Sequence, residues 1–272
     1  MRIILSISSD IGTSLAKDWL NSGHQVAGTY RTWTSNCDEL EALGATLVHC
    51  DFSSRNSVRA AGAELVTEFW EVIVMAAGDQ NPIGLFAQVD FDDWSRSLEV
   101  NFIGMSRFLH KAIQEESAHQ MRSVIFFAGG GTNNATERYS GYTISKIASI
   151  KMCELLDFEI DTIKFSIVGP GWVKTKIHES TLNQKNLAGN NYERTRQMVQ
   201  GGAMTQMSEV IDICNWLVSQ PKAVVGGRNF SLVHDAWRSK EITEWLVEDS
   251  NRYKLRRFGN EINLGEKRVS SE

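Results

Sequence analysis

Tyr142 and Lys146 stand four residues apart in the run Tyr142-Thr143-Ile144-Ser145-Lys146. On a helix that spacing places a phenol and an ammonium on one face. A nearby Lys⁺ favours the phenolate and lowers the tyrosine pKa from about 10 toward working pH, so that it can pass a proton to or from a carbonyl or alcohol. The same pair on a solvent-facing helix has no chemical use, so its surroundings decide. It follows the apolar run 123–127 and the loop Ala128-Gly129-Gly130-Gly131. After it comes a second apolar run, 164–168, leading into Gly169-Pro170-Gly171-Trp172-Val173-Lys174-Thr175.

A second candidate lies at the N-terminus, where an apolar run ends in Ser8-Ser9-Asp10-Ile11-Gly12 and a helical pattern begins at Leu15. In an open α/β fold, this turn offers backbone N–H groups and a helix N-terminus to a pyrophosphate. Gly12 alone stands where a dinucleotide fingerprint shows three glycines, so an ordinary strand-to-helix turn fits the residues as well. Arg31, with no acid beside it, follows the second apolar run. That is where a cation accommodates the 2′-phosphate of NADP and an acid would accept the hydroxyls of NAD. A solvated surface arginine is the alternative.

These residues need elements to hold them. Apolar runs over 3–7, 25–30, 46–50, 71–76, 123–127, 164–168 and 229–233 alternate with helical patterns, which predicts a doubly wound α/β fold. The expected architecture is a Rossmann-like three-layer sandwich around a central, mostly parallel seven-stranded sheet. Trp94, Leu98, Phe102, Met105, Leu109 and Ile113 recur at helical spacing and predict one long amphipathic helix. Ile144 to Leu156 make the next. The polar stretch 172–208 shows one short helical pattern near 192–199, and its length marks it as a binding loop.

Composition sets the boundaries. A net charge of −5 with interspersed signs gives no electrostatic footprint for nucleic acid. The four cysteines lack metal-ligand spacing, so no metal is expected and they are read as fillers in a reducing compartment. No run of about 18 apolar residues is present and the N-terminal run is too short for a signal peptide. A soluble cytoplasmic protein is the expectation. His178 is read as a surface residue.

Together these motifs resemble the short-chain dehydrogenase/reductase family over roughly residues 3–235. The resemblance implies one domain, 1–238, that includes the loop 172–208, followed by an extension, 239–272. It implies NAD(P)-dependent hydride transfer between nicotinamide and a carbonyl or secondary alcohol, with Tyr142 as acid/base, Lys146 as its electrostatic partner and ribose ligand, and Asn101 in a water-linked proton path. It assigns Ser8, Asp10, Ile11 and Gly12 to the family's TGxxxGxG turn, with Ser6 and Asp10 replacing its first two glycines. Asp51 matches the adenine contact, and Ala77 and Gly78 the turn after the fourth strand. Pro170, Gly171, Val173 and Thr175 match the nicotinamide contacts. With Arg31, NADP(H) is favoured over NAD(H).

The family places a serine 13 or 14 residues before the tyrosine; here those positions hold Gly129 and Ala128. The substrate oxygen would then take its second hydrogen bond from Thr132, Asn133, a backbone N–H of 129–131 or a water. Loss of one such donor costs about 10²–10³ in rate. A dinucleotide-binding sensor or partner subunit with impaired catalysis is therefore the alternative function. Lys174, Lys176, Lys185, Arg194 and Arg196 make the 172–208 loop basic, which suits an anionic small molecule such as a sugar phosphate or acidic sugar. The wording of the loop resembles reductases of bacterial surface-carbohydrate synthesis. Family members pair through the two long helices, which implies a homodimer or homotetramer.

Overall fold

All seven apolar runs form strands in a computed structural model, which describes residues 1–67, 69–115, 121–201 and 204–257. Residues 202 and 203 of the 172–208 loop, and 258–272 of the extension, lie outside the described residues. The first half runs β1 (Arg2–Leu5), α1 (Asp10–Asn21), β2 (Val26–Tyr30), α2 (Ser35–Ala42), β3 (Thr46–His49), α3 (Arg55–Leu65) and β4 (Val72–Met75). Next come α4 (Phe91–Leu98), a π-helical turn (Glu99–Ile103), α5 (Gly104–Ile113), β5 (Arg122–Phe127), α6 (Ser140–Glu159) and β6 (Ile163–Gly169). A 3₁₀ turn (Lys176–His178) then leads to α7 (Glu179–Leu182), α8 (Lys185–Ala188) and α9 (Asn190–Gly201). The last elements among the described residues are α10 (Met207–Ser219), α11 (Lys222–Val225), β7 (Arg228–Ser231) and α12 (Glu241–Glu248).

The strands are ordered β3-β2-β1-β4-β5-β6-β7, and every pairing is parallel rather than mostly so. Parallel strands need crossover helices, so both sheet faces are covered and the strands are apolar on both sides. One core, with Ile3, Phe126 and Phe165, lies under α3, α5 and α6. The other, with Ile4, Trp19 and Phe230, lies under α1 and α10. Full burial of such side chains stabilises the fold by about 1.5–3 kcal/mol each. The order reverses between β1 and β4, whose diverging connections open a crevice at the strand C-termini.

Two expectations are corrected. The apolar spacing from Trp94 to Ile113 runs through a π-helical turn at residues 99–103 instead of one continuous helix. Directly after it, a Cβ on Gly104 would lie 2.2 Å from the Phe52 carbonyl oxygen, so the helix backbone rests on the turn between β3 and α3. The 172–208 loop holds the 3₁₀ turn and α7, α8 and α9 where one short helix was expected. These short helices have little amphipathic signal of their own. A small cluster of Ile83, Tyr139, Ala188 and Tyr192 supplies their packing.

Residues 239–257 pack back on the core. Ile242 and Leu246 join the Trp19 cluster, and Tyr253 packs against it. The buried Arg228 guanidinium donates to the carbonyls of Leu246 (2.6 Å) and Arg252 (3.3 Å), and the Asn229 N–H donates to the Tyr253 carbonyl (2.7 Å). Edge strand β7 is thereby covered.

Candidate active site

An open cleft of about 1430 Å³ runs along the C-terminal ends of the strands, at the switch point. Ser8, Asp10 and Ile11 line it from the β1–α1 turn, Arg31 and Asp51 from the ends of β2 and β3, and Ala77 and Gly78 from the end of β4. After β5 come Ala128, Gly129, Thr132 and Asn133, then Tyr142 and Lys146 on α6, then Pro170, Gly171, Val173 and Thr175 after β6. Gly12 and Asn101 stand behind the wall. The cleft takes in Arg194 of the basic loop, and also residues that carry no mark in the sequence, among them Asn190, Asn191 and His234. Single polar residues in loops carry no spacing signal that would have marked them.

The β1–α1 turn keeps a glycine-like path without its first two glycines. Ser6 adopts φ +67°, a left-handed conformation that costs a non-glycine residue about 1–2 kcal/mol. Three hydrogen bonds hold it there: its N–H to Thr29 Oγ1 (2.9 Å), and its carbonyl from the Ser9 hydroxyl (2.7 Å) and the Ser9 N–H (3.1 Å). Ser9 caps α1 by accepting from the Gly12 N–H (3.1 Å). At Gly12 a Cβ would fall 2.4 Å from the Ser6 carbonyl oxygen, so only glycine lets helix and turn approach this closely. A dinucleotide fits these residues: the helix N-terminus faces the cleft, and the cleft runs from Arg31 to Tyr142.

Asn101, fully buried on the π-helical turn, clamps the chain after β4. Its Oδ1 accepts from the Asp79 N–H (2.8 Å), while Nδ2 donates to the Asp79 carbonyl (2.8 Å) and the Ser97 carbonyl (2.9 Å). The partner that a polar residue between Val100 and Phe102 requires is thus main chain. π-Helical turns are rare and concentrate at functional sites.

Burial sets the electrostatics of the helix pair. Lys146 is only 3% exposed; its ammonium lies 5.5 Å from the centre of the Tyr142 ring and donates to the Ala77 carbonyl at 3.3 Å. Removal from water pushes Lys146 down to about 8 and Tyr142 up to about 12. The expected lowering of the phenol by the lysine is therefore corrected: desolvation dominates and raises it. For Asp51, burial works upward, but the Ser53 hydroxyl and N–H and the charges of Arg31 and Arg96 outweigh it and hold the carboxyl below its ordinary value.

The lysine pKa has a measurable consequence for stability. Below about pH 8 both states are protonated and the folded state carries the full penalty of a buried ammonium; from 8 to 10.5 the folded protein loses its proton first, so stability rises with pH. Tyr142 acts oppositely, with stability falling from pH 10 to 12. Lys146→Met is expected to raise stability at pH 7 by about 3 kcal/mol and to flatten the rise above pH 8. Urea unfolding at pH 7 and 9.5 measures both.

Gly129 sits against the tyrosine itself. A Cβ there would lie 2.9 Å from Tyr142 Oη, 2.8 Å from its Cε1 and 2.9 Å from Lys146 Cγ. Ala128 is buried in the core, its Cβ turned toward Gly169. Across the cleft, His178 is half-buried rather than a surface residue: its ring stacks on Trp172 (5.1 Å) and its Nε2 lies 2.9 Å from the Val173 carbonyl oxygen. Burial lowers its pKa. The Tyr139 and Thr181 hydroxyls meet at 2.7 Å, and Thr181 donates to Gln80 Oε1 at 3.0 Å, tying α7 to the chain after β4.

Among the described residues no group of three or more His, Cys, Asp or Glu is placed to hold a metal, and no helix is long and apolar enough to cross a membrane. The profile of the family described as Enoyl-(Acyl carrier protein) reductase matches residues 7–234. An uncharacterized oxidoreductase of Mycobacterium tuberculosis is 21% identical over 192 residues, 66% of this chain and 56% of that protein, so the chain spans little more than half of that curated relative. A short-chain dehydrogenase/reductase from Saccharomyces cerevisiae shares the fold at a TM-score of 0.75 and 19% identity, over 87% of this chain and 97% of that one. A variant of actinorhodin polyketide ketoreductase carrying NADPH does so at 0.72 and 20%, over 85% and 94%. A profile match of that extent, on this strand order, makes the chain a member of the short-chain dehydrogenase/reductase family.

Proposed function

We propose that the protein is an NADP(H)-dependent oxidoreductase that moves a hydride between nicotinamide and a carbonyl or secondary alcohol. The observation that carries this reading is the placement of Tyr142 and Lys146 on the cleft face of α6, beside the end of β4. The dinucleotide, when bound, supplies or accepts the hydride. Ser8 and Ile11 would hold its phosphates on the turn that Gly12 lets close, Asp51 its adenosine, and Pro170, Gly171, Val173 and Thr175 its nicotinamide end. Ala77 and Gly78 would floor the cleft between them. Arg31 supports NADP(H) over NAD(H), and Arg96, which also acts on Asp51, adds positive potential at that end.

The Tyr142 phenol is protonated at neutral pH and so can donate its proton to a carbonyl oxygen as hydride arrives. Lys146 would hold the nicotinamide ribose and replenish charge beside the phenol; Asn101 would fix the chain past which the proton leaves. Neither Ala128 nor Gly129 offers a hydroxyl to the substrate oxygen, so Thr132, Asn133 or the main chain of 129–131 would orient it.

The substrate side of the cleft combines the Trp172–His178 stack, Arg194 set 5.7 Å from the Trp172 ring, and the polar Asn133, Asn190 and Asn191. An aromatic face, a cation and several amides suit a polyhydroxylated or anionic small molecule, such as a sugar derivative of carbohydrate biosynthesis. The protein would act in the cytoplasm as a homodimer or homotetramer. Exposed Ile144 (48%), Leu155 (45%) and Phe158 (88%), at helical spacing along α6, supply an apolar face for a second copy, and molar mass in solution tests it. NADPH consumption with a panel of sugar-like carbonyls tests the function; binding without any turnover would favour a sensor.

A further inference from the structure

Asp10 stands where the family's turn has a glycine, and its side chain is committed away from the turn. Its Oδ2 accepts a 2.7 Å hydrogen bond from the N–H of Lys176, 166 residues further on. Lys176 opens the 3₁₀ turn that follows Thr175, and Thr175 itself makes no side-chain cap to that turn. The carboxylate therefore supplies the cap. The same stretch is fixed from its other side, where the Thr205 N–H donates to the Trp172 carbonyl (2.7 Å) and Val173 bridges to Thr205. Asp10 and Lys176 both line the cleft, one at the helix N-terminus and one next to the nicotinamide-side segment. A dinucleotide lying along the strand ends must pass the point where they meet. Glycine at position 10 has no side chain to make this link.

We propose that Asp10 is a positioning residue that fastens the 173–176 segment across the cofactor cleft and so sets the rate at which the dinucleotide leaves. The proposal rests on the dinucleotide-binding reading given above. It separates two opposite effects of one carboxylate. A negative charge near a pyrophosphate repels it, so charge removal alone would slow dissociation. A charge-assisted hydrogen bond that holds the covering segment does the reverse: its loss speeds dissociation, by about ten- to a hundredfold at the usual strength of such bonds.

The test uses Asp10→Gly, Asp10→Ala and the near-isosteric Asp10→Asn, which keeps an acceptor oxygen. Stopped-flow displacement of NADPH is expected to show release about ten- to a hundredfold faster in the Gly and Ala variants. The Asn variant is expected to stay within about threefold of the parent. If cofactor release limits turnover, kcat rises in the Ala variant while kcat/KM falls. Hydrogen exchange at the Lys176 amide, measured without nucleotide, should be slow in the parent and the Asn variant and fast in the other two. Unchanged or slower NADPH release in Asp10→Gly, or unchanged Lys176 exchange, overturns the proposal. If the parent binds no NADPH, the functional reading fails on its own, and Lys176 exchange alone decides whether Asp10 holds the segment.

Discussion

Tyr142→Phe is expected to lower carbonyl turnover by about 10²–10⁴ while leaving NADPH affinity within about twofold, because only the phenolic hydroxyl is removed. The ring stays: it lies against Gly129 and within reach of the Lys146 ammonium, and neither contact needs the hydroxyl. A fall in kcat with an unchanged cofactor Kd is the signature of a group that acts in the transition state alone. Initial rates and NADPH fluorescence titration on the same preparation give both numbers. Turnover retained in the Phe variant would contradict the role assigned to Tyr142.

Placing a serine at position 129 is expected to harm the site. At Gly129 the added Cβ would fall within 2.9 Å of Tyr142 Oη and Lys146 Cγ, closer than side-chain carbons approach. Gly129→Ser must therefore displace the phenol, and a displacement near 1 Å costs on the order of 10²-fold in rate. Gly129→Ala should lose about as much, since the Cβ and not the hydroxyl is the obstacle. The Lys146 amine cannot simply withdraw, because its stem is buried. Steady-state kinetics of the two variants decides the point. A gain in kcat for the serine variant alone would show that the hydroxyl is accommodated and used.

The fold was legible because parallel strands buried on both faces leave near-continuous apolar runs. Each of the seven is found within a residue or two of its expected limits. The π-helical turn was not legible, since Leu98, Phe102 and Met105 keep helical spacing across it and the backbone constraint at Gly104 comes from Phe52, a distant residue. The short helices of the 172–208 loop were hidden for a related reason. Their order comes from tertiary contacts such as Tyr139–Thr181–Gln80, and their own sequence is polar.

In the site, residue types and spacing located the cleft, but burial lies outside what spacing reports. Tyr142 and Lys146 were recognisable as a pair, whereas the direction of their pKa shifts depends on how completely the site excludes water. Asn101 was recognisable as a polar residue in need of a partner. That its partner is the main chain of Asp79 required the loop to be seen in place. Asp10 is the sharpest instance: its neighbours in sequence suggest a phosphate turn, and its hydrogen bond reaches Lys176.

The central claim is that the cleft at the strand C-termini holds a phosphorylated nicotinamide dinucleotide. Isothermal titration of the purified protein with NADPH and with NADH tests it most directly. One site per chain is expected, with NADPH bound at least about tenfold more tightly through Arg31 and its surroundings, a difference near 1.4 kcal/mol. Equal affinities would contradict the role of Arg31, and binding of neither nucleotide would contradict the account as a whole.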